Sequence, residues 1–142
     1  MAIITGVKST LLTHNEIIAD LATFDFGDGV QRPAIFSRSE PALESPNPCI
    51  ALELISGDSL GDRGRRGSTA EVQVNIWGDK IGSDKPLRTL AMNVWRALDR
   101  SSPTITGYTT LGSRATNPQA IPMEDNFKGY FLIHYIKILE VI

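Results

Sequence analysis

Few side chains in this 142-residue sequence are of the types that do chemistry. The histidines are His14 and His134, and the one cysteine is Cys49. Neither histidine has a cysteine or a second histidine near it, so no zinc-ligand spacing exists. A cysteine nucleophile needs an activating base, and the sequence identifies none. Cys49 opens an apolar run, the setting of a small buried hydrophobe. Asp99 with Glu124 or Asp125 would be the paired carboxylates of acid–base work, but nothing in the sequence brings them together. Solvated charges beside helix ends and turns account for them better. No G-x-x-x-x-G-K-[ST] loop is present, and no G-x-G-x-x-G follows a strand. The residue types therefore point away from an enzyme, from a cofactor and from a metal centre.

One segment differs in kind. Ser56 to Ser68 reads Ser-Gly-Asp-Ser-Leu-Gly-Asp-Arg-Gly-Arg-Arg-Gly-Ser. Asp58 and Asp62 could approach a divalent ion, but the other oxygen ligands of a calcium loop are missing. Arg63, Arg65 and Arg66 form a small basic cluster, largely offset by Asp58 and Asp62 and without an aromatic ladder. It could meet a phosphate backbone, an acidic patch on a protein partner, or water alone. Rich in glycine and almost devoid of apolar side chains, the segment cannot offset its ordering entropy by burial. It is expected to be a flexible loop, about residues 56–68, that joins two strands and orders on assembly.

The elements that would position these residues follow from periodicity. Thr13 and Glu16 have capping-box spacing, with Leu12 and Ile17 spaced as a hydrophobic staple. A first short helix is expected from there, with Ile17, Ile18 and Leu21 as its apolar stripe, ending near Ala22 or Thr23. Phe24 to Gly29 reads as a turn. Pro33 to Arg38 is a short strand candidate, and Ser39 to Pro48, with three prolines, a surface segment. Cys49 to Ile55 alternates as a strand, with Ile50, Leu52 and Leu54 on one side. Ala70 to Trp77 alternates most cleanly: Val72, Val74 and Ile76 face one way, and Glu71, Gln73 and Asn75 the other. Leu87, Leu90, Ala91, Val94, Trp95 and Leu98 recur at helical spacing, predicting a helix over about Asp84 to Asp99.

Thr104 to Thr110 favours strand, with a bulge suggested at Gly107, and Asn117-Pro118 reads as a turn. Tyr130 to Val141 is a long strand, apolar on both faces. Either it is central in a sheet or part of it lies in a subunit interface. Trp77, Tyr130, Leu132, Ile136 and Ile138 are the interface candidates. The expected fold is α+β: a mainly antiparallel sheet covered by two helices, with a long hairpin loop.

Composition bounds the rest. Apolar residues make up 42% and charged residues 21%, the profile of a single domain over residues 1–142. With 14 Lys plus Arg against 16 Asp plus Glu, the net charge of -2 argues against a surface built for non-specific nucleic-acid binding. One cysteine excludes an internal disulfide. No apolar run reaches the roughly 18 residues of a bilayer span, so no membrane partner is expected. Met1 to Gly6 lacks the basic and long apolar regions of a signal peptide.

In this order and spacing, the elements resemble the tail-completion, or tail-terminator, family of long-tailed bacteriophages and phage-like particles such as gene transfer agents. Three stretches carry the resemblance: the proline-rich lead Ser45-Pro46-Asn47-Pro48-Cys49-Ile50-Ala51-Leu52, in which Cys49 stands where Tyr is usual; the alternating Ala70-Glu71-Val72-Gln73-Val74-Asn75-Ile76-Trp77; and the helix from Asp84-Lys85-Pro86 to Ala97-Leu98. The resemblance implies a structural protein with no catalytic residue. It would form a ring, commonly a hexamer, on the head-proximal end of the tail tube. That ring would stop tube polymerisation and dock the tail to the head connector or neck, with DNA passing through its lumen without sequence-specific binding. It implies a place at the tail-neck junction of a particle assembled in the bacterial cytoplasm. It also makes the loop carrying Asp58, Asp62, Arg63, Arg65 and Arg66 a candidate contact with tube or neck. Another ring-forming neck or tail-tube protein is the alternative within the same class; a small ligand-binding domain or enzyme is the alternative outside it.

Overall fold

A computed structural model describes residues 2–37, 47–56, 68–79, 84–124 and 127–140. The chain starts with helix α1 (Ala2–Leu12), followed by the short α2 (Asn15–Asp20). Strands β1 (Thr23–Asp25) and β2 (Gln31–Pro33) form an antiparallel hairpin, and β3 (Ile35–Phe36) comes directly after. Strand β4 (Cys49–Ser56), β5 (Ser68–Asp79) and helix α3 (Asp84–Leu98) come next. Strands β6 (Tyr108–Ala115), β7 (Gln119–Glu124) and β8 (Phe127–Glu140) complete the chain.

The main sheet runs β3-β4-β5-β8-β6, with β7 also paired to β8. Every pairing is antiparallel except β3 with β4. The α+β class and the mainly antiparallel sheet are as the sequence predicts. Strand β8 is central: β5 pairs along one side of it, while β6 and β7 share the other, β6 opposite Glu140 to His134 and β7 opposite Phe131 to Phe127.

The helices lie on one face of the sheet. Leu87, Leu90, Ala91, Val94 and Leu98 of α3 meet Val72, Val74 and Ile76 of β5 and Leu132, Ile136 and Ile138 of β8 in one buried cluster. Ile50 and Leu52 of β4 join it, as do Ile3, Ile4, Val7 and Leu11 of α1. The alternation read from β4 and β5 and the helical stripe read from α3 are thus the two halves of one core. A smaller cluster sits on the opposite face, where Ala34 and Phe36 cover Cys49, Ala51 and Trp77.

Three expectations need correction. Helix α1 was not anticipated, so three helices rather than two occur among the described residues. Its first turn holds no acidic residue and its last no basic one, so terminal signals are absent; only Ile3, Ile4, Val7 and Leu11 mark its buried stripe. The Thr13–Glu16 capping box does not form: Thr13 Oγ1 donates to the Thr10 carbonyl at 2.7 Å, at the end of α1, and His14 occupies the cap of α2 without a side-chain bond. Gly107 is not the bulge. It takes φ +88° in the turn before β6, a conformation L side chains resist. The irregularity falls three residues into β6, between Thr110 and Gly112, and leaves Leu111 unpaired against β8.

Candidate assembly surfaces

The residues singled out for chemistry fall into separate, structurally occupied positions. His14 Nδ1 lies 3.4 Å from Glu16 on the surface. Cys49 is buried in the smaller apolar cluster. His134 is fully buried on the helix side of β8, and neither ring nitrogen has a hydrogen-bond partner. Burial lowers its pKa to about 4, against the opposing pull of the nearby Leu98 carbonyl and Asp99. Asp99 Oδ1 accepts the Ala115 backbone N–H at 2.9 Å. Ala115 pairs with His134 on β8, whereas Glu124 pairs with Phe127. Seven strand residues at roughly 3.3 Å each separate those rows by about 23 Å, so Asp99 and Glu124 cannot act as a pair. No group of three or more His, Cys, Asp or Glu suited to a metal ion occurs among the described residues.

The interface candidates read from the sequence also change meaning. Leu132, Ile136 and Ile138 are already covered by α3 within the single chain and have no surface left for a second copy. The central place of β8 explains its apolar inner row. Trp77 is buried in the smaller cluster beneath Ala34 and Phe36, so it serves packing within the chain. Tyr130 alone of the five is only partly buried, packed at the margin of the core, with its hydroxyl 3.4 Å from Arg88 Nε. The loop candidates Asp58, Asp62, Arg63, Arg65 and Arg66 lie outside the described residues. Trp95, at the edge of the helix stripe, donates from Nε1 to the Ala115 carbonyl at 3.0 Å and ties α3 to β6.

Among the described residues, exposed side chains lie on the far side of β8 and β6 and along the two lateral edges of the sheet. On the far face, the cross-strand pairs place Gln73 beside Ile133, and Glu71 beside Tyr135 and then Arg114. One lateral edge is built by β3 and the β1–β2 hairpin. Phe24, Phe26 and Phe36 stack there, with centroids 5.1 to 5.4 Å apart, and Lys8 Nζ stands 5.1 Å from the Phe26 ring centroid. At the hairpin tip Asp25 Oδ1 accepts the N–H groups of Gly27 at 2.8 Å and Gly29 at 3.0 Å. Those two bonds lower the Asp25 pKa. Asp28 is lowered first by its bond with Arg32, then by the Val30 N–H. Both carboxylates stay charged at neutral pH. The turn read at Phe24 to Gly29 is real, but it closes a hairpin, and the flanking strands were missed because each spans three residues. The opposite edge is β6, with the C-terminal turn of α3 tied onto it through Trp95 and Asp99.

No protein-family profile and no curated protein matches the sequence. Among solved structures, a chain of the virion of a native gene transfer agent particle superposes with a TM-score of 0.67 at 15% identity, over 96% of this chain and 94% of that one. The two chains share a fold. The likeness runs over nearly the whole of both chains.

Proposed function

We propose that this chain is a structural protein of a phage or phage-like particle, a ring-forming subunit that caps the head-proximal end of the tail tube, ends tube polymerisation and joins the tail to the head connector. The observation that carries the reading is the near end-to-end fold likeness to a gene transfer agent virion chain. The separated, occupied state of the described polar residues supports work done by surfaces, and a ring needs only heterologous contacts that close. On this reading the protein is not an enzyme and uses no cofactor. Its partners are other copies of itself, commonly six, the tube protein and the connector or neck protein. DNA moves through the lumen without being read, and the protein resides at the tail-neck junction of a particle assembled in the host cytoplasm.

The test is tube length. Tube protein polymerised with this chain present should stop at defined lengths, with the chain found at one end in electron micrographs. Tubes of unchanged length distribution would overturn the capping role. A tail-tube subunit is the alternative within the same class, and self-polymerisation of this chain into long tubes would establish that reading instead.

A further inference from the structure

The two lateral edges of the subunit differ in charge and each carries exposed apolar side chains. At the β3 edge, Phe26 is 41% and Val30 51% exposed on the hairpin. Asp25 and Asp28 stand beside them, Arg32 pairing with Asp28. Asp20 closes α2 just before the hairpin, where the Ala22 N–H binds the Pro48 carbonyl and the Ala34 N–H binds the Ala22 carbonyl. Among the described residues β3 pairs with β4 only at Ile50 and Ala51, and beyond that pairing β4 carries the exposed Glu53. Acidic groups therefore flank the edge on both faces of the sheet, with Lys8 and Arg32 as the opposing cations.

The β6 edge is the reverse. The bulge before Gly112 pushes Leu111 out of the ladder, and it is 60% exposed. Arg114 stands exposed on β6, Arg96 on the last turn of α3, and Arg100 just beyond it, where its N–H bonds the Ser113 carbonyl. Arg96 meets only the Asn93 side chain, at 3.4 Å, and no ion pair to Arg96, Arg100 or Arg114 occurs among the described residues. The one carboxylate described there, Asp99, is held by the Ala115 N–H.

We infer that copies of this chain join head to tail, the acidic β3 edge of one subunit docking on the basic β6 edge of the next, with Phe26 and Val30 packing against Leu111 of the neighbour. The inference rests on the ring reading and names its contact. The occupant is a second copy because the two edges complement each other in sign, and each edge pairs exposed apolar surface with charge. A contact between two different surfaces leaves each subunit with a free edge until the ring closes. Opposite charges set the register and speed encounter, and like charges brought together oppose it.

The test uses full-length chain and two charge reversals at exposed positions outside the core. Arg96→Glu with Arg114→Glu makes both edges acidic, and Asp20→Arg with Glu53→Arg makes both basic. Each variant, folded by circular dichroism, should associate with itself at least tenfold more weakly than the unmodified chain in light scattering. Mixed in equal amounts, the two should reassemble as alternating copies. Leu111→Asp should weaken association without rescue by either. Association of both variants at the unmodified strength would overturn the edge contact and leave the ring standing. So would variants that fold yet stay apart when mixed. An unmodified chain that stays single at every concentration, with tube protein or without, would overturn ring and contact together.

Discussion

Strand β8 presents two rows of mostly apolar side chains to very different surroundings. On one side Leu132, His134, Ile136 and Ile138 are sealed under α3. On the other, Phe131, Ile133 and Leu139 are only partly covered, and Tyr135 and Lys137 are exposed. The composition of the two rows does not say which is core. The covering helix does: α3 carries an amphipathic stripe that needs a flat apolar surface, and β5 and β8 together supply it. A strand apolar on both sides need not be an interface; it can be the middle of a sheet whose second face is closed less completely.

Truncating one residue in each row should give very different losses of stability. Ile136→Ala should destabilise the chain by about 2–5 kcal/mol in denaturant unfolding, the cost of a core cavity. Ile133→Ala, on the half-covered row, should cost well under half as much. Equal losses would show that the far face is also core.

The buried row contains one titratable group, and pH sharpens the contrast. His134 is neutral in the fold with a pKa of about 4, against 6.5 when unfolded, so the unfolded chain binds the extra proton between those values. Stability should be fully present above pH 6.5 and fall by about 3 kcal/mol as pH drops toward 4. His134→Leu should flatten that part of the pH–stability curve. A slope unchanged by the substitution would place the proton uptake elsewhere.

At Gly129 the far side of β8 meets the smaller cluster. A Cβ there would lie 2.7 Å from the Ile76 carbonyl and 2.9 Å from Trp77 Cε3, and backbone cannot yield cheaply. Gly129→Ala should therefore cost about 1–3 kcal/mol in the same unfolding assay. The smallest effect is expected at the hairpin tip. Asp25→Ala should speed amide exchange at Gly27 and Gly29 while leaving the midpoint of global unfolding unmoved, because the turn is exposed and separate from the core.

The long elements were legible in sequence. Alternation in β4 and β5 and the stripe of α3 predict both their type and the side chains that meet in the core. Most short elements were not: β3 lies within the strand read at Pro33 to Arg38, but β1 and β2 are too brief to show a period, and α1 lacks charge signals at both ends. The candidate surfaces were legible only in part. An apolar residue such as Leu132 or Trp77 looks the same in sequence whether its cover comes from α3, from Phe36 or from another subunit. The basic edge was invisible because Arg96, Arg100 and Arg114 come to one edge only when the end of α3 is tied to β6. Leu111 stands exposed at a bulge that the sequence suggested at Gly107 instead.

If this chain acts as one subunit of a closed ring, its native mass in solution across a concentration series must show it. Light scattering should give one discrete species of about six times the 15.5 kDa chain mass. A mass of one chain at every concentration, with tube protein present as well as without it, would show that the chain is not a ring subunit.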